Sequence, residues 1–247
     1  MDTLIIIVVL GAALAGFVHG LSGSNFGLVA MAVWAWALEP TLTGPLVVCG
    51  SLMGQLLAVR SLKLGLDRQR LLPMVIGGLF GVPLGVWLLH YLDPTLFRLL
   101  VGLLLTLWCP LMLLSSGLPH LHRDSRGAHA GVGLLGGIMG GLGGLTGPAP
   151  ALWAVLNGWG RDTQRAVIQG FNLAMQLLTM ITYLVSGTVT REALGLFPMV
   201  AIAVLLPTLI GIRLYHRFSD LAFRKLVLGL LSLSGVALIA QSLPKLL

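Results

Sequence analysis

Charge is what this sequence has least of: 9% of its 247 residues are Asp, Glu, Lys or Arg, against about 25% in a soluble domain. With 57% hydrophobic residues and a mean hydropathy of +0.97, the chain cannot coat a water-facing particle and must set most of its outer face against lipid. Acidic residues are scarcest, eight against fifteen basic ones, and none stands at the middle of an apolar run. That excludes a carboxylate proton relay of the usual kind. The basic excess sits in short breaks between apolar runs, where it reports membrane orientation, so no nucleic acid is needed to explain it. Cysteine is nearly absent: Cys49 and Cys109 lie inside apolar stretches and read as small buried hydrophobes, without a disulfide framework. No CxxC, HExxH or EF-hand pattern is present, and no cofactor or metal is implied. Met1-Asp2-Thr3 lacks the positive n-region of a cleaved leader, which predicts that the first apolar run persists.

What is there is a series of apolar runs at 3–19, 28–38, 44–62, 71–91, 96–115, 130–142, 149–159, 166–187, 193–214 and 222–243. Most approach the ~20 residues that cross a bilayer. Runs 28–38 and 149–159 reach only about 16 Å as helices, and 130–142 about 20 Å. Charge-free, glycine-rich breaks precede two of these short pieces, Gly20–Gly27 and Gly140–Pro148.

The chain also repeats itself. At a shift of 120, Gly11, Gly16, Gly20, Gly23 and Gly27 fall on Gly131, Gly136, Gly140, Gly143 and Gly147, and Gly50 on Gly170. Further on, Gln55 matches Gln176, Pro73 Pro198, Gly85 Gly211, His90 His216, and Phe97-Arg98 Phe223-Arg224. The basic loops fall at opposite positions: Arg60, Lys63, Arg68 and Arg70 precede the second full span of the first copy, whereas Arg213, Arg217, Arg224 and Lys225 precede the third of the second. The positive-inside rule then makes the copies inverted. Arg123, Arg126, Arg161 and Arg165 also fall inside, and both termini fall outside.

These readings predict an all-α polytopic membrane protein of two inverted repeats, each a glycine-broken helical hairpin followed by three transmembrane helices. The first repeat is 1–117, with hairpin 3–38 and spans 44–62, 71–91 and 96–115. A cytoplasmic linker follows at 118–129. The second repeat is 130–247, with hairpin 130–159 and spans 166–187, 193–214 and 222–243.

Inverted repeats with broken helices at matching positions point to a secondary transporter with a midplane site between the repeats. Irregular backbone at membrane depth is tolerated only where protein or an aqueous cavity satisfies it, and helix N-termini near Phe26–Leu28 and Thr146–Ala149 favour an anion. The candidate binding residues are Ser22, Gly23, Ser24, Asn25, Phe26, Gly143, Gly144, Thr146 and Gly147 at the breaks, with Gln55, Asn172 and Gln176 on the following helices. Ser51, Gln169 and Thr179 are further polar residues at membrane depth, and interhelical hydrogen bonding competes with a site role for such groups. His19, the one ionisable group well inside a run, is a candidate proton site or a structural histidine.

His120, His122 and His129 read as a solvated loop, and His90, His216, Arg98 and Arg224 as interfacial side chains. The series Gly77, Gly81, Gly85 reads as helix packing. Gly20-Leu21-Ser22-Gly23 also spells the GxSG of rhomboid intramembrane proteases; an anion channel is the other alternative to a carrier.

The sequence Gly16-xxx-Gly20-xx-Gly23-xxx-Gly27, its echo Gly136-xxx-Gly140-xx-Gly143-Gly144-xx-Gly147-Pro148, and the two Phe-Arg span openings resemble the sulfite exporter TauE/SafE family, also called TSUP permeases, over residues 8–243. Ser24-Asn25-Phe26 departs from the Gly-Gly pair usual there. The resemblance implies a bacterial inner-membrane permease, often an exporter, for sulfite or an organosulfonate such as sulfoacetate. The partners expected are a small anion and the lipid bilayer, with a homodimer left open.

Overall fold

A computed structural model describes residues 2–59, 67–114, 125–214 and 220–245. Among them there are no strands. The helices are α1 (Asp2–Ser22), α2 (Phe26–Trp34), α3 (Pro40–Val59), α4 (Arg68–Leu89), α5 (Pro94–Leu113), α6 (Arg126–Gly143), α7 (Pro148–Leu156), α8 (Arg161–Val185), α9 (Arg191–Leu214) and α10 (Asp220–Ser242), closed by a 3-10 turn at Leu243–Lys245. Seven of them are long and apolar enough to cross a membrane: α1, α3, α4, α5, α8, α9 and the α10 region. Exposed apolar stripes run along them. On α1, Ile6, Leu10 and Leu14 are exposed at helical spacing while Val8, Ala12 and Ala15 are buried.

The half-length pieces α2 and α7 have nine residues each, about 14 Å. Run 130–142, in contrast, is not a half-length piece. Ser125 caps α6, its hydroxyl accepting from the Ala128 N–H at 3.3 Å, and the helix runs 18 residues, about 27 Å. The apolar reading stopped short because Arg126 and His129 occupy the first turn, so residues 126–129 belong to this helix and not to the linker. His129 is likewise no solvated-loop residue: it is buried, edge-on to Trp153 and Trp159 at 6.1 and 5.7 Å. His120, His122 and His216 lie outside the described residues.

Glycine seams join helix to helix, the α4–α6 and α1–α9 seams among them. On α4, Gly77, Gly81 and Gly85 meet the backbone of Ala130, Leu134 and Ile138, while Gly133, Gly137 and Gly141 on α6 meet Met74, Gly78 and Val82. Numbers rise together on both helices, so α4 and α6 run parallel. The same contact joins α1 to α9, where Gly16 meets Val204 and Thr208, and Gly20 meets Thr208, Gly211 and Ile212. Thr208 donates to the Gly16 carbonyl at 3.0 Å. A side chain at any of these glycines would overlap the opposing main chain, which is how small residues let helix backbones touch.

The seams also correct the repeat register. Gly16 and Gly20 do the work of Gly137 and Gly141, not of Gly136 and Gly140, which face Phe171 and Thr146. Gly23 and Gly144 end α1 and α6 in the same left-handed turn, with φ of 79° and 72° and N–H bonds to His19 and Gly140 carbonyls. The structural shift is therefore 121. The doublets Gly136-Gly137, Gly140-Gly141 and Gly143-Gly144 satisfy both registers in sequence, so only their contacts distinguish them.

Candidate functional site

Both hairpin apexes meet at one polar cavity. It is lined by His19 of α1, by Ser24, Asn25, Gly27 and Leu28 at the first break, by Ser51 and Gln55 of α3, by Gly144 to Pro148 at the second break, and by Asn172 and Gln176 of α8. Most of the polar lining forms pairs 121 residues apart: Asn25 with Thr146, Ser51 with Asn172, Gln55 with Gln176. The lining carries no Asp, Glu, Lys or Arg, and His19 is its one titratable side chain. The cavity volume is about 20 Å³, room for roughly one water-sized group.

Of the candidates, His19, Ser24, Asn25, Gln55, Gly144, Thr146, Gly147, Asn172 and Gln176 converge here. Ser22, Gly23, Phe26 and Gly143 do not line it. The Ser22 hydroxyl donates to the Val18 carbonyl at 2.8 Å, a helix-internal bond that gives no sign of an activated nucleophile. Gly23 supplies the turn, and its carbonyl accepts from Gln169 Nε2 at 3.2 Å. Phe26 is a wedge: its ring occupies the space over Gly50 and stands edge-on to His19 and Trp34, at 6.3 Å from each. One turn further along α3, Gly54 accommodates the His19 ring, which makes no hydrogen bond of good geometry. Gly143 packs on the Met31 methyl. Ser51, Gly27, Leu28, Leu145 and Pro148 line the cavity without having been assigned to it. Ser51 was recoverable, since it precedes Gln55 by one helical turn as Asn172 precedes Gln176.

The two apexes are held differently. At the second, Thr146 donates to Asn172 Oδ1 at 2.9 Å, Gln176 Nε2 donates to the Gly144 carbonyl at 2.7 Å, and Tyr183 donates to the Gly141 carbonyl at 2.8 Å. Pro148 and Pro150 open α7, removing two of its first three N–H donors. At the first, Asn25 caps α2 without a side-chain bond, and Phe26, Gly27 and Leu28 all retain their N–H groups. The far end of α2 is fixed by Arg98, whose Nε donates to the Ala35 carbonyl at 2.9 Å. Arg98 is thus a helix C-cap and not merely an interfacial cation; the Arg224 side chain lies outside the described residues. His90, at the end of α4, is exposed as an interfacial residue is, with Nδ1 on the Val86 carbonyl at 2.8 Å.

Among the described residues no cluster of three or more His, Cys, Asp or Glu could hold a metal. No curated protein matches the chain. No solved structure matches it either. The family model for the sulfite exporter TauE/SafE matches residues 8–238. With that match across nearly its whole length and with its seven helices long and apolar enough to span a membrane, the chain belongs to the sulfite exporter TauE/SafE family of membrane transporters for sulfur anions.

Proposed function

We propose that this protein carries sulfite or a small organosulfonate such as sulfoacetate out of a bacterial cell, across the inner membrane, by alternating access around the cavity between the two apexes. The observation that supports this most is the convergence of both broken helices on one polar, uncharged chamber, with matched residues from α3 and α8 completing it. Uncapped N–H groups at a helix start favour an anion. A chamber with room for roughly one water-sized group would have to widen to take a four-heavy-atom oxyanion, which parting of the hairpins would supply, as a carrier's gates do.

The proposed division is repeats 1–117 and 130–247, inverted, with both termini periplasmic. The seams support it. If helices alternate through each hairpin and span, the parallel pairing of α4 with α6 makes α1 and α6 run in opposite senses. The helix pairs also exchange as a two-fold axis requires: α1–α9 with α6–α4, and α3–α9 with α8–α4, while α5–α10 and α3–α8 pair with their own equivalents.

Reconstituted vesicles decide between carrier and channel. Flux of sulfite, thiosulfate, sulfoacetate and simple carboxylates is measured with and without substrate on the opposite face. Saturable, trans-stimulated sulfite or sulfonate flux supports the proposal; unsaturated electrodiffusive current makes the protein an anion channel. Cysteine labelling at positions 65 and 190 tests inversion, which places them on opposite sides.

A further inference from the structure

The cavity offers two kinds of group that one simple oxyanion cannot satisfy together. Donors come from the bare start of α2 and the Asn25 and Asn172 amides. Acceptors come from the glutamines. Gln176 is 3% exposed, and its amide orientation is fixed because Nε2 faces the Gly144 carbonyl, which can only accept; that leaves Oε1 buried with no donor. Gln55, its equivalent at 2% exposure, also has Oε1 without a donor. Leaving buried acceptors unmet is costly, and a fully deprotonated sulfite or sulfate has no proton to give them.

The charge balance points the same way. Around the cavity α1 brings His19, and α8 brings Arg165, whose guanidinium lies by Gly23 and not in the lining; the lining residues of α2, α3 and α7 bring no titratable side chain. The start of α2 supplies roughly +0.5 charge and that of α7 less, since Pro148 and Pro150 remove two of its donors; together they offset one negative charge more nearly than two.

Resting on the transport reading above, we infer that the species bound between the apexes is a monoanion that carries its own hydrogen-bond donor: hydrogensulfite in preference to sulfite, and a hydroxylated sulfonate in preference to a bare one. The sulfonate or sulfite oxygens face the start of α2, and the O–H faces the Gln55 and Gln176 carbonyls. A dianion without a proton to donate, such as sulfate, is a poorer ligand by the same argument.

The test is equilibrium binding to the intact protein in nanodiscs, with 2-hydroxyethanesulfonate, ethanesulfonate, sulfate and sulfite as probes. The expected result is that 2-hydroxyethanesulfonate binds roughly tenfold or more tightly than ethanesulfonate, with sulfate weakest. Sulfite affinity falls as pH rises through the hydrogensulfite pKa, while ethanesulfonate affinity stays flat. Parallel pH dependence of both would trace the effect to His19 and overturn the inference. Equal binding of the two sulfonates, or sulfite binding that strengthens with pH, also overturns it. Gln55→Met and Gln176→Met each narrow the sulfonate ratio toward one; a ratio left intact in both contradicts the assignment of the acceptors. Should none of these sulfur anions bind while acetate, run beside them, does, the sulfur-anion reading under the proposed function falls with it.

Discussion

The two hairpins share a backbone plan and differ in chemistry. Each ends its long arm in a left-handed glycine, Gly23 or Gly144, and restarts as a nine-residue helix against the cavity. The second is bolted: Thr146, Gln176 and Tyr183 tie its apex carbonyls and hydroxyl to α8, and prolines silence most of the donors at its helix start. The first is tethered by Gln169 to the Gly23 carbonyl and has a helix start with all its N–H groups. One backbone plan thus serves a tied apex and a bare one. Neither hairpin forms the chamber alone, because Ser51 and Gln55 of α3 line it together with Asn172 and Gln176 of α8.

The largest expected effect addresses what the hairpins have in common. Gly20→Leu in the α1–α9 seam and Gly141→Leu in the α6–α4 seam place a side chain into opposing backbone, at a cost of about 3 kcal/mol or more each. Size-exclusion profiles of both variants should show loss of folded protein. Survival of either one means the seams are not equivalent.

A smaller effect separates the bolted apex from the open one. Thr146→Val leaves Asn172 Oδ1 without its donor inside the protein, which costs about 1–3 kcal/mol. Ser24→Ala, at a half-buried residue for which no side-chain bond is seen, should stay within about 0.5 kcal/mol. Melting of the two variants in the same nanodiscs checks this. A drop for Ser24→Ala as large as for Thr146→Val erases the distinction.

The smallest effect restores a donor. Pro150→Ala returns an N–H to the first turn of α7, but Pro148 remains and the apex stays tied to α8. Sulfite affinity should change by less than about fivefold, since a net hydrogen bond contributes about 1 kcal/mol. A tenfold gain would show that the second helix start holds the anion as well as the first.

Much of this was legible in the sequence wherever local chemistry decides structure. Charge-free glycine clusters with too few apolar residues after them mark α2 and α7, because only a protein-lined cavity tolerates such backbone in a membrane. Glutamines at matching places mark the cavity walls. What escaped depends on partners distant in sequence. Arg98 finds Ala35 across 63 residues, and Tyr183 finds Gly141 across 42. His129 is buried only because Trp153 and Trp159 fold over it. The register was misread by one residue because glycine doublets on α6 serve two faces, one toward α4 and one toward Thr146 and Phe171. The division between bolted and bare apexes rests on hydrogen bonds that no spacing pattern reveals.

Replacing one backbone amide by an ester tests the central claim most directly, because it removes an N–H without altering a side chain. The N–H of Leu28 lies in the first turn of α2, where no intrahelical acceptor uses it, and Leu28 lines the cavity. Substituting Leu28 by its α-hydroxy acid should weaken sulfite binding by roughly 10–100-fold, the range for a hydrogen bond to a charged group, whereas the same replacement at Ala149 of α7 should weaken it far less. Equal losses at both positions, or none at Leu28, would contradict the account.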